Sequence, residues 1–138
     1  MAQCTTSAAG AQAIVDAGCV TAVVAALRQR AADADVQRYG CITLGRLASG
    51  DAARAQAVVD AGGVAALVAA MGRHTRNSEM QRHICGALMS LSCGDAACKQ
   101  AVVDGGGVAA VRLAMRRHMA NAVLQRYGCH AFQQTAHW

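Results

Sequence analysis

Three Gln-Arg pairs stand at a fixed interval of 44 residues: Gln37-Arg38, Gln81-Arg82 and Gln125-Arg126. A guanidinium is a planar fork of donors that meets carboxylate or phosphate oxygens two at a time. A row of such forks is chemistry for an acidic or phosphorylated ligand. Each Arg is followed by a ring, Tyr39, His83 or Tyr127. Helical steps of three and four residues then give Ile42 and Arg46, Gly86 and Ser90, and His130 and Gln134. Residues four and eight apart share a helix face, so Arg38, Ile42 and Arg46 lie together. The candidate partner-binding residues are Arg38, Tyr39, Ile42, Arg46, Arg82, His83, Ser90, Arg126, Tyr127 and His130. The competing account is architectural. In it the arginines keep an exposed helix soluble, or the Gln-Arg pair bonds to neighbouring backbone.

The other reactive side chains do not converge. Cys41, Cys85 and Cys129 also recur at the 44-residue interval. Adjacent helices stack about 8–10 Å apart. A disulfide needs its Cα atoms within about 7 Å, and zinc ligands must surround one ion. These thiols therefore read as small apolar residues of a core. Cys93 and Cys98 flank a turn at Gly94; their spacing is a weak metal signal with no second pair to complete it. His74 and His118 stand one interval apart, and His83 and His130 lie in different copies. Such residues form parallel rows, whereas catalysis needs nucleophile, base and orienting group within about 3 Å. There is no HExxH, GxSxG or phosphate loop, and the run Gly105–Gly107 lacks the Lys-Ser/Thr that would follow. The expectation is a protein that is not an enzyme and holds no metal and no cofactor.

The elements that position these residues follow from the repetition itself. Roughly 20 of 44 positions match between residues 13–56 and 57–100, which marks tandem structural repeats. Each copy reads as three helices. A short one begins after Ser7, Asp51 or Asp95 as N-cap and ends at Gly18, Gly62 or Gly106, where a left-handed glycine would close it. A second follows at Val20–Arg28, Val64–Arg73 and Val108–Arg117, with apolar residues at i, i+3, i+4 and i+7. Its basic end suits the helix dipole. Asp33, Asn77 and Asn121 then cap a third and longest helix: Ala34–Ser49, Ser78–Cys93 and Ala122 to about Ala136. Its buried stripe is Val36, Gly40, Leu44 and Leu47 in the first copy, and Met80, Ile84, Leu88 and Leu91 in the second. In the third it is Leu124, Gly128, Phe132 and Thr135, and Gly50 and Gly94 turn the chain into the next copy. No single copy can bury its apolar face, so neighbours must stack to make one core.

The pattern AVVDAGGVAALVAAM, then VQ, then LxxLASGD, resembles an armadillo repeat, and the resemblance covers nearly the whole chain. It implies an all-α fold, a right-handed solenoid of about three three-helix repeats near residues 7–50, 51–94 and 95–138, forming a single domain. It further implies that the third helices line a concave groove for an extended peptide or a partner's surface. The groove rungs would be the candidate residues above. Importin-α-type receptors carry a Trp and an Asn one turn apart at the positions held here by Ile42 and Arg46, Gly86 and Ser90, and His130 and Gln134. Neither residue is present there, and a basic groove has the wrong sign for a basic signal. Nuclear-import receptor activity is not expected.

Composition sets the remaining bounds. A net charge of +5 and a pI near 9.0 favour anionic partners mildly without naming nucleic acid. Nucleic-acid binding, the rival reading of the basic face, would want a denser basic stripe and more stacking aromatics than Tyr39 and Tyr127. A second rival is purely structural: a piece of a longer solenoid, or a homo-oligomer that covers its own ends. There is no signal-peptide pattern, and the apolar runs fall short of the ~20 residues a membrane span needs. Seven cysteines without a secretory signal read as free thiols in a reducing, intracellular setting, cytoplasmic or nuclear. The expected function is a non-catalytic scaffold or adaptor that binds a protein or peptide.

Overall fold

The computed structural model describes residues 9–49, 52–93 and 96–135, and every element among them is a helix. In chain order they are α1 (Ala9–Gln29), α2 (Ala34–Ala48), α3 (Ala52–Asp60), α4 (Gly63–Arg73), α5 (Ser78–Ser92), α6 (Ala96–Asp104), α7 (Gly107–Arg117) and α8 (Ala122–Thr135). The proposed caps Ser7, Asp51 and Asp95 and the turns at Gly50 and Gly94 lie outside the described residues.

The long third helices begin where their caps sit. Asp33 accepts from the backbone N–H of Asp35 and Val36 at 3.1 and 3.2 Å. Asn77 accepts from Met80 and Asn121 from Leu124, both at 3.0 Å. Each cap satisfies a donor that the first turn leaves without an intrahelical partner. The helices lie side by side, with α5 packed between α2 and α8. The core runs through the stack: Val20, Val24 and Leu27, then Leu44, then Leu67, Met80, Ile84, Leu88 and Leu91, then Val111 and Leu124.

The first copy departs from the expected three helices. No break occurs at Gly18; α1 runs unbroken from Ala9 to Gln29. In the other two copies the turn is made by left-handed glycines, Gly62 at φ +85° and Gly106 at φ +81°. The next residue is also glycine, and the close approach there requires it. A Cβ on Gly63 would stand 2.7 Å from the Val58 carbonyl oxygen, and one on Gly107 would stand 2.9 Å from that of Val102. The equivalent residue in the first copy is Cys19. In the same turn its Cβ would meet the carbonyl five residues back, and the first copy continues as one helix.

A second correction concerns the recurring thiols. Cys41 and Cys85 are fully buried, but Cys129 is exposed. The side of the third helix that carries these thiols is covered by the next third helix in the first two copies. Among the described residues no helix packs beyond α8. No single described helix is long and apolar enough to cross a membrane. The pair spanning Ala53–Asp60 and Gly63–Arg73 reaches that length only across a 66° bend.

Candidate functional site

The Gln-Arg pair divides into two unlike halves. Gln37 and Gln81 are each 2% exposed. Gln37 Nε2 donates to the carbonyls of Leu27 and Arg30 at 2.9 and 3.0 Å. Gln81 does the same to Met71 and His74 at 3.1 and 2.8 Å, and Gln125 to Met115 and His118 at 2.9 and 3.0 Å. Those carbonyls end the preceding helix, where a helix leaves its last C=O groups unpaired. The glutamines are thus a repeated clamp between the second and third helices. Of the two architectural accounts, the backbone-bonding one holds for Gln and not for Arg.

The arginines are not equivalent: Arg38 and Arg82 are half-buried and Arg126 is exposed. Arg38 Nη1 lies 3.0 Å from Glu79 Oε1, on the next third helix. Its Nη2 donates to the Tyr39 hydroxyl at 3.1 Å, and the guanidinium stands 4.9 Å from the centroid of that ring. The bonds to Tyr39 and Glu79 hold the Arg38 guanidinium above its ordinary basicity. The residue that stands to Arg82 as Glu79 stands to Arg38 is Val123, which carries no charge. Among the described residues neither Arg82 nor Arg126 has an ion pair, whereas Arg38 pairs with Glu79. The row is neutralised at its first rung and open at the next two.

Between α2 and α5 lies a hollow of about 190 Å³. Ile42, Arg46, His83, Gly86, Ser90 and Tyr127 face it, so five of the ten candidate residues meet around one depression. Arg38, Tyr39, Arg82, Arg126 and His130 lie outside its lining. The glycine at position 86 has a steric reason: a Cβ there would meet the Tyr127 ring at 3.3 Å. The bare rung is what lets the ring of α8 lie against α5. Burial, helped by the positive charge of Arg82, holds His83 below the ordinary imidazole range, and Glu79 partly opposes this. At neutral pH His83 is a neutral donor and acceptor beside the arginines. His130 is drawn elsewhere: its Nε2 lies 3.3 Å from the Cys93 sulfur.

Repeat alignment alone does not reveal the roles of Glu79 and Cys93. The contacts run diagonally across the helices. Arg38 meets Glu79 and Gly86 meets Tyr127 at separations of 41 residues, one helical turn short of the repeat. Cys93 meets His130 at 37, two turns short. Reading the sequence along that diagonal would have exposed Glu79 opposite Arg38 and Val123 opposite Arg82.

Residues 51–92 match the armadillo/beta-catenin-like repeat family. Among solved structures the chain is similar to an engineered protein from a structural genomics programme, with a TM-score of 0.77 and 31% sequence identity. The alignment covers 90% of this chain and 48% of that one, so the chain spans about half the length of that relative. A comparison with curated proteins finds no match.

Proposed function

The chain is an α-solenoid of armadillo-like repeats, and from that premise we propose a non-catalytic module that docks an extended acidic or phosphorylated segment along its third helices. Armadillo repeats as a class mediate protein–protein interaction. The observation that carries the finer reading is the asymmetry of the arginine row. Arg82 and Arg126 keep their charge unpaired among the described residues, beside a hollow lined by Arg46, His83, Ser90 and Tyr127. Third helices about 10 Å apart match every third residue of an extended chain, which rises about 3.3 Å per residue. A ligand with carboxylates or phosphates at that interval meets Arg82 and Arg126 in succession, with its intervening side chains over the hollow. Arg38 takes part only when the ligand displaces Glu79. We place the module in a reducing compartment, where its exposed thiols persist.

The test is fluorescence anisotropy of a labelled ten-residue peptide with Glu at every third position. Replacing Arg38, Arg82 and Arg126 by Glu removes binding, and replacing Arg82 and Arg126 alone removes most of it. Unchanged affinity in the folded triple variant refutes the reading. Equal binding of an unstructured RNA, with a steep fall in salt, would transfer the surface to nucleic acid.

A further inference from the structure

We propose that Cys93 is a modification site for low-molecular-weight disulfides, with His130 as its base. Cys93 closes α5: its backbone N–H donates to the carbonyls of Met89 and Ser90, so the residue is held in place while its side chain stays exposed. Its sulfur lies 3.3 Å from His130 Nε2, on the neighbouring α8. Gln134 places its amide nitrogen 3.5 Å from the same Nε2. In the tautomer whose proton sits on Nδ1, the Nε2 lone pair faces the thiol. In that tautomer the thiol proton has an acceptor within reach.

No other described cysteine has this arrangement. Cys41, Cys85 and Cys98 are buried. Cys19 and Cys129 are exposed, and neither sulfur is bonded to a base among the described residues. Burial pushes the pKa of the Cys93 thiol up and the ammonium of Lys99 pulls it down, with burial the larger effect. The resting group is the neutral thiol, so a base must take its proton as the sulfur attacks.

The incoming disulfide is the oxidant, and the step balances. Cys93 S–H passes its proton to His130 Nε2 while the sulfur attacks one sulfur of a disulfide R–S–S–R. A new S–S bond forms and the old one breaks. The departing R–S⁻ recovers the proton from the imidazolium and leaves as R–SH. The product is a mixed disulfide standing between the C-terminal ends of α5 and α8. The inference does not depend on what the arginine row binds.

The experiment exposes the intact chain to glutathione disulfide, quenches with acid at intervals, and maps adducts by peptide mass spectrometry. Cys93 is expected to react about tenfold faster than Cys19 and Cys129, a modest share of what a positioned base supplies. His130→Gln brings the Cys93 rate down to theirs and leaves theirs unchanged, with the helical circular dichroism signal as the check on folding. If that variant fails to fold, the ranking of the three thiols in the unaltered chain decides alone. Cys93 reacting no faster than Cys19 and Cys129, or keeping its rate in folded His130→Gln, overturns the proposal.

Discussion

Gln81→Met separates architecture from surface at adjacent positions. Methionine keeps the length and approximate volume of glutamine and removes both amide donors. Gln81 is 2% exposed and donates to Met71 and His74. After the change His74 still accepts from the Asn77 N–H at 3.2 Å. The Met71 carbonyl, in the last turn of α4, loses its side-chain partner while buried. An unsatisfied buried carbonyl costs about 1–3 kcal/mol, and the second lost bond about 0.5–1.5 kcal/mol more. The expected loss is roughly 2–4 kcal/mol, a large part of the ~5–15 kcal/mol that holds a typical domain together. For a chain of this length that lowers Tm by about 10 °C. Urea titration followed by circular dichroism measures it, with Arg82→Ala as the neighbouring control, expected within about 0.5 kcal/mol of the parent because that side chain is only half-buried and makes no ion pair among the described residues. A Gln81→Met protein within about 0.5 kcal/mol of the parent, or an Arg82→Ala protein equally destabilised, would refute the division of the Gln-Arg pair.

Three further outcomes follow from the same structure. Val123→Glu places a carboxylate where Glu79 stands for Arg38, so it should pair with Arg82 and weaken binding of the acidic peptide about tenfold, a charged hydrogen bond being worth about 1.5–3 kcal/mol; Glu79→Val should strengthen binding, and both effects are read by the same anisotropy assay. Gly63→Ala forces a Cβ against the Val58 carbonyl and should cost about 1–3 kcal/mol, visible as a lower urea midpoint, whereas Gly72→Ala, with open space around it, should not. Burial pushes the Cys41 and Cys85 thiols up to about 12 from an ordinary value of 9.0. Their contribution is complete below pH 9 and drains away as pH rises toward 12, because only the unfolded chain ionises in that window; the slope is about 1.4 kcal/mol per pH unit per thiol. Urea midpoints at pH 8 and 10.5 should therefore fall more in the parent than in a Cys41→Ala, Cys85→Ala variant, and parallel falls would count against the burial argument.

Sequence alone determined the local and the periodic. The 44-residue interval, the caps at Asp33, Asn77 and Asn121, the apolar steps ending in Met80, Ile84, Leu88 and Leu91, and the left-handed Gly62 and Gly106 were legible because each is fixed by residues within a few turns of one another. The first-copy helix was misread at Gly18 because the deciding residue was its neighbour Cys19, whose Cβ matters only against the folded turn. Tertiary structure alone decided which arginine is paired, why Gly86 is bare, why Cys129 is exposed while Cys41 and Cys85 are not, and that His130 stands beside Cys93. A repeat shows which residues are equivalent. Stacked helices touch one or two turns off that equivalence, and the offset is set by how their side chains interdigitate, which exists only once the helices have packed.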